Sequence, residues 1–385
     1  VRYEYDGAPI YVHPQTPDWF VPNTAGDRAI GRLGGKANGA PMDFATRRFL
    51  ERLPGHDDRP YPGRAACLDT THLRELWFHV TNRCNLACRH CLFASSPNDA
   101  AELPAERILD LARQGADLGC RVFALTGGEP FVHGEFPRIV EGLLELDEAH
   151  VVLLTNGISL EEFKDRWRRW PEERLHLQIS LDGLRANHDD LRGSGRFETL
   201  RRNLDVLRNA GRAFTLSMCV TQENMAQMPG VVELAGDTGA GNVHFMWYFI
   251  RGRGTKDRYA LPERIAPHLR QAVTRAEQLG IGIDNVDALR SQVFSPVGTR
   301  HDGTNAAWES VAVGPDNSLY PTPATIGLPQ LATPLDDDLA AAWRGSDVLE
   351  DIRRATAATL DDPLRFLLGG GDLDHSIAHS GQVVG

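Results

Sequence analysis

The sequence predicts an α/β fold, a parallel sheet curling into a partial, TIM-like (β/α)6 barrel, and three observations predict it. From Leu73 to Leu279, short apolar runs alternate six times with stretches of helical periodicity. The connections between them are short, so consecutive strands lie side by side and parallel, and right-handed crossovers curl such a series toward a barrel. The polar motifs all fall at the carboxyl ends of the strands, where folds of this kind bind ligands. A doubly wound open sheet is the alternative that the pattern leaves.

Composition bounds the class. At 385 residues the chain has room for one large domain with smaller attachments. Its 42% hydrophobic and 24% charged residues are those of a soluble globular protein. A net charge of -11 argues against a nucleic-acid binder, which needs a basic face. No apolar run reaches the length of a membrane span and no charged-then-apolar leader opens the chain, so the expected location is the cytoplasm. Thiols stay reduced there, and the six cysteines read as ligands or buried thiols rather than disulfides. The chain begins at Val1, which fits numbering that starts inside a longer protein.

Three segments follow: 1–70, 71–295 and 296–385. In the first, residues 8–23 read as two short strands around a Pro-containing turn. A helix over 24–33 capped by Asn23 or Thr24 comes next, then a second over 42–53 carrying Phe44, Phe49 and Leu50. In the second, the six strands centre on Trp77–Thr81, Val122–Leu125, Val151–Leu154, His176–Ser180, Phe214–Val220 and Val243–Ile250. Helices are expected over 105–118, 135–146, 160–170, 197–210, 225–235 and 262–279. The third opens with a hairpin from Ser310 to Pro323 turning at Pro315-Asp316-Asn317, followed by a helix over 337–354 and a glycine-rich stretch at 369–376.

The chemistry concentrates in Cys84-Asn85-Leu86-Ala87-Cys88-Arg89-His90-Cys91, directly after the first barrel strand. Three cysteines with gaps of three and two residues fit one short loop and can converge on one inorganic centre. Thiolates are soft ligands that hold zinc or iron–sulfur clusters. A closed zinc site takes four protein ligands, and this loop offers three plus an interleaved His90. One metal corner is left open for a cofactor or substrate.

CxxxCxxC with an aromatic ring just before the third cysteine, here His90 before Cys91, resembles the signature of the radical S-adenosylmethionine (SAM) superfamily. Four further motifs carry the resemblance. Thr126-Gly127-Gly128-Glu129-Pro130 looks like the family's GGEP turn, which implies that Gly127, Gly128 and Glu129 hold the α-amino group of SAM. Thr155-Asn156-Gly157 is similar to the TNG turn. Ser180-Leu181-Asp182-Gly183 resembles S-x-D-G, which implies contacts from Ser180 and Asp182 to the ribose. Arg192 matches the arginine that pairs with the methionine carboxylate. The resemblance also places His90 against the adenine and Val220 as an apolar wall. Read alone, the Gly-Gly and Asn-Gly pairs are plain turns, Asp182 is a turn cap, Arg192 a surface charge and Val220 core.

What the resemblance implies is an enzyme. Cys84, Cys88 and Cys91 hold three irons of a 4Fe–4S cluster, and SAM binds the fourth. One electron, from a reductant such as flavodoxin or ferredoxin, cleaves SAM to a 5′-deoxyadenosyl radical that takes hydrogen from a substrate. The first segment resembles a cut-down peptide-recognition element, and the third resembles the SPASM extension of peptide maturases. Both imply a ribosomally made peptide or a protein side chain as substrate. Modification of a small metabolite, or a non-catalytic zinc or cluster sensor, are the alternatives.

The third segment departs from that pattern. Thr322 stands where SPASM domains commonly carry a cysteine, and no cysteine follows Cys219, so auxiliary clusters are not expected. Cys67, Cys120 and Cys219 read as buried thiols. His375 and His379 with Asp372 and Asp374 have metal-ligand spacing, against the plainer reading of a lid. In the sixth strand, either His244, Met246 and Tyr248 or their neighbours face the cavity, and Arg251 and Arg253 are candidates to meet an acidic group on a peptide.

Overall fold

A computed structural model of the chain describes residues 1–34 apart from 6 and 17, isolated positions between 35 and 69, and then 70–286, 304–355, 359–365 and 372–383. The expected second helix over 42–53 and Cys67 lie outside the described residues.

Three strands, β1 (Arg2–Tyr5), β2 (Ala8–Val12) and β3 (Trp19–Phe20), form a small antiparallel sheet, followed by helix α1 (Thr24–Gly34). β1 precedes the two expected strands; its Arg-Tyr-Glu-Tyr alternates charged and aromatic residues as a strand does, in a run of only four. Pairing of Arg2 with Tyr11 through Tyr5 with Ala8 supplies the ladder that makes it a strand.

Among the described residues the large sheet holds ten strands. β4 (Glu75–Thr81), β5 (Val122–Gly127), β6 (His150–Thr155), β7 (Leu175–Ser180), β8 (Phe214–Val220) and β9 (Asn242–Trp247) are the six expected strands. Each pairs in parallel with the next. A seventh parallel strand, β10 (Gly282–Ile283), extends this edge and is too short to read from sequence. The sheet stays an open arc, as a partial barrel requires.

The expected hairpin, β11 (Ser310–Val313) and β12 (Ser318–Tyr320), does not stand apart from the barrel. β11 lies parallel against β4, Ala312 opposite Trp77, and β12 and β13 (Thr333–Pro334) continue the sheet. The first barrel strand is therefore flanked on both sides, and Leu76, Phe78 and Val80 on its outer face are fully buried. The expected single helix over 337–354 is two, Leu339–Gly345 and Asp347–Arg354. Extended Ser346 breaks it and caps the second piece through its hydroxyl to Leu349 N. The glycine-rich terminus carries a helix, Leu373–Ser380, whose N-cap Asp372 accepts from the amides of Asp374 and His375. Its Leu373 and Ile377 are buried, and it lies across the open end of the barrel.

Candidate active site

The C-terminal ends of the strands and the last helix enclose one cavity of about 630 Å³. Cys84, Cys88, His90 and Cys91 line it from the loop after β4, and Gly127, Gly128 and Asn156 from the turns after β5 and β6. Ser180, Asp182 and Arg192 line it from β7 and the helix Arg185–Arg192. Ten of the twelve residues expected at the site thus border one space. The other two do not reach it. Val220 is packed in the hydrophobic core, and the Glu129 side chain turns away from the cavity into the protein.

The cysteine loop is held by its backbone. Cys84 N donates to Ser96 O, Arg89 N to Leu191 O, and Gly128 N and Glu129 N to Thr81 O and Arg83 O. Arg253 clamps the loop from β9's side: its Nε donates to Cys88 O at 2.7 Å and its Nη2 to Ser95 O at 2.8 Å. Arg251 donates to Ala324 O and Ile326 O. Both arginines, considered in sequence as partners for a substrate acid, are committed to carbonyls here. A run reading Arg-Gly-Arg-Gly after a strand does signal such a clamp, because the glycine lets the chain pass close. A Cβ on Gly252 would lie 2.3 Å from Cys91 O.

The Gly-Gly pair has a similar reason. Gly127 has φ +143°, and a Cβ there would lie 2.4 Å from Thr81 O. A Cβ on Gly128 would lie 2.3 Å from Arg83 O, at the root of the cysteine loop. Gly128→Ala is expected to cost about 3 kcal/mol, the upper end for an overpacked site, because the colliding atom is a backbone carbonyl. Chemical denaturation measures it; a loss under about 0.5 kcal/mol, the range of neutral surface changes, would show that the loop root yields easily.

Electrostatics converge on Asp182. This fully buried carboxylate accepts from Arg192 Nε at 2.6 Å, from Cys219 N at 3.1 Å, and meets His90 Nε2 at 3.1 Å. Burial pushes its pKa up, but the Arg192 guanidinium and then His90 outweigh it and hold the carboxyl well below the usual range. Arg192 reaches the cavity already paired. Glu129 accepts from Phe131 N, Thr155 Oγ1 and Asn156 N, at 3.3, 2.8 and 2.8 Å. It fixes the turn that presents Asn156, whose side chain donates to Asn85 Oδ1 at 2.8 Å and to Cys84 Sγ at 3.8 Å.

The donor set fits a thiolate-bound cluster: Cys84, Cys88 and Cys91 line one cavity from one loop, and thiolates are the soft donors that such clusters take. Burial pushes the Cys84 thiol up to about 12 and raises Cys88 as well, so neither is a free thiolate at neutral pH. Leu86 N and Asn156 Nδ2 point donors at Cys84 Sγ, the contact that a coordinated thiolate uses. His90 Nδ1 is buried with no partner, as a polar atom awaiting a bound group would be.

At the far wall, the terminal metal-ligand spacing resolves into packing and capping. His375 stacks on Phe249 with ring centroids 4.0 Å apart and meets Asp372 at 3.1 Å. Asp374 accepts from the hydroxyl of Thr322, the residue standing at the expected cysteine position. The side chain of His379 lies outside the described residues.

Fold, cysteine loop and glycine turn together define a class, and comparison with known proteins identifies it. Residues 78–235 match the family model of the Radical SAM superfamily, and the chain carries a radical SAM domain, a domain that works with a 4Fe–4S cluster and S-adenosylmethionine. Among curated relatives, the probable GTP 3′,8-cyclase of Archaeoglobus fulgidus is 38% identical over 28% of this chain and 35% of its own length. The antilisterial bacteriocin subtilosin biosynthesis protein AlbA of Bacillus subtilis is 26% identical over 62% of this chain and 49% of its own. The chain spans about half the length or less of these relatives. Among solved structures, Streptococcus suis SuiB bound to its precursor peptide SuiA superposes with a TM-score of 0.65, covering 97% of this chain and 94% of SuiB at 14% identity. That likeness is one of fold. Among the described residues, no helix is long and apolar enough to cross a membrane.

Proposed function

We propose that this chain is a radical SAM enzyme that modifies a peptide or protein side chain. The observation that carries the reading is the gathering, in one cavity, of the three loop cysteines with a glycine turn pressed against their root; Cys219 of β8 borders the same cavity, its amide given to Asp182. Cys84, Cys88 and Cys91 would hold the 4Fe–4S cluster, and the cavity faces of Gly127, Gly128, Asn156, Ser180 and Arg192 would border SAM. When bound, the pair supplies a 5′-deoxyadenosyl radical that removes hydrogen from an unactivated carbon.

The chain's own residues prepare that space. Asp182 orients Arg192 and keeps its charge compensated, leaving the other guanidinium nitrogens for a carboxylate. Arg253 and Arg89 fix the loop that carries the cysteines, so the thiols keep their positions. The start of the terminal helix Leu373–Ser380 borders the mouth through Asp374 and His375, narrowing the way in for water. Glu129 holds the Asn156 turn from behind rather than touching a ligand.

Two features support a peptide as substrate. Among the described residues β1 is an edge strand of the N-terminal sheet, onto which an extended segment can add as a strand. The likeness in fold to SuiB extends over both the N-terminal module and the C-terminal segment. An external one-electron donor, a flavodoxin or ferredoxin, would serve as reductant. Anaerobic reconstitution with iron and sulfide tests the reading. Visible absorbance of a thiolate-bound cluster and 5′-deoxyadenosine on adding SAM and dithionite are expected, and both are lost when the three cysteines become alanine. A chain that binds zinc but assembles no cluster, or a cluster that survives the triple substitution, would overturn it. Co-expression with candidate precursor peptides, read by mass, then separates peptide from metabolite.

A further inference from the structure

The half of the cavity facing away from the cysteines ends in a histidine that the proposed chemistry does not use. His244 lies on β9 and lines the cavity; in the sheet register it stands beside Ser217 of β8, which stands beside Ser180 of β7. Its Nδ1 meets Asp284 Oδ1 at 2.8 Å. Asp284 follows β10, and its neighbour Asn285 ties the segment back to β9 through Phe245 O at 2.9 Å. Burial raises the Asp284 carboxyl and the His244 hydrogen bond outweighs it, so the carboxylate is ionised and can only accept. Nδ1 therefore carries the hydrogen, and in the neutral ring Nε2 is a fixed acceptor.

The wall above His244 is apolar. Met246 lies two residues further along the same face of β9, its side chain partly exposed into the cavity. Phe249, stacked on His375, stands at the mouth, and Trp77 faces the space from β4, its indole N–H already given to Glu75. Two strand residues rise roughly 6.6 Å, about the reach of an extended aromatic side chain, so a ring passing Met246 brings its far end to His244. Trp77 and Phe249 offer faces for stacking, and Met246 adapts to the ring it meets.

We propose that His244, oriented by Asp284, is the specificity-determining residue of the substrate half of the cavity. The side chain it selects is aromatic and ends in a hydrogen-bond donor, a phenol before all. This rests on the peptide reading above. A site built to accept a hydroxyl's hydrogen discriminates against the ring that lacks it, because the bound ring covers the part-exposed His244 acceptor and leaves it without a partner or water.

The test compares N-acetyl-tyrosinamide with N-acetyl-phenylalaninamide, which differ by one oxygen. Binding to the anaerobically reconstituted full chain is measured by saturation-transfer NMR titration. The phenol is expected to bind about tenfold more tightly, a difference of about 1.4 kcal/mol. His244→Leu should reduce that ratio to within about twofold, and Asp284→Asn, which frees the ring to take either tautomer, should reduce it in part. The ratio, unlike absolute affinity, does not follow a general loosening of the barrel, and melting temperatures of both variants check folding. Equal affinity for the two probes, binding of neither, or a ratio unchanged in His244→Leu overturns the assignment. Release of 5′-deoxyadenosine on adding SAM and dithionite is read separately, so a working cluster without phenol preference sinks this inference alone.

Discussion

Replacing Asp182 with alanine is expected to cost about 3–5 kcal/mol of stability, because it strands a buried guanidinium. Arg192 and His90 are almost fully buried, with side chains 11% and 8% exposed, and both are directed at one Asp182 oxygen. Its other oxygen takes Cys219 N. Asparagine is no remedy: its single carbonyl cannot face Arg192 and Cys219 N together, so one buried donor always meets an amide N–H. Asp182→Asn should therefore fall close to alanine, and SAM binding should be lost in both as Arg192 turns away. Acid dependence offers a second reading. Because the folded carboxyl titrates below its ordinary range, its contribution is complete above the unfolded value, near pH 4, and disappears as pH falls through the lower folded value. The gap between wild type and variant in urea unfolding should then begin to narrow below roughly pH 4 and go on narrowing as pH falls further. A constant gap down to acid unfolding would show that the loss does not come from the charge of the Asp182 carboxylate.

How much of this was legible beforehand differs by element, for physical reasons. The cysteine loop could be read because ligand chemistry dictates residue type and spacing together. The six strands could be read because their helix-facing positions are apolar and buried, as Leu175, Leu177 and Ile179 of β7 show. The partnership of β11 with β4 could not, since pairing across more than two hundred residues leaves no local trace. Motif identity also said less about side chains than about backbone. Gly127 and Gly128 border the cavity as expected, whereas the adjacent Glu129 carboxylate points inward and serves Thr155 and Asn156. Arg251 and Arg253 show the converse: a charged pair that reads as substrate-facing is spent on carbonyls, because the loops it joins have orphan acceptors to satisfy. His244 was ambiguous because strand alternation gives two phases, and only Asp284, forty residues on, decides which one matters.

Glu129 gives the second large effect, and its sign with pH is opposite to that of Asp182. Three donors favour its ionised form, yet burial is the larger influence and pushes its pKa up to about 7. A carboxyl whose folded value is raised stabilises fully below its unfolded value and loses that stability as pH rises through the folded one. Between roughly pH 4.5 and 7 the wild type should thus lose on the order of 3 kcal/mol that a neutral residue would keep. Glu129→Gln supplies that neutral residue with nearly the same shape. Its amide N–H₂ must oppose either Asn156 N–H or the Phe131 and Thr155 donors, a loss of about 1–3 kcal/mol. The variant should therefore lie below wild type at pH 5, and the gap should narrow or reverse by pH 8. Because Asn156 reaches Asn85 and Cys84 from this turn, cluster occupancy after reconstitution should fall with it. Urea unfolding at the two pH values decides the matter: an unchanged gap would mean that Glu129 holds one protonation state throughout, and that its three donors, not its burial, govern the turn.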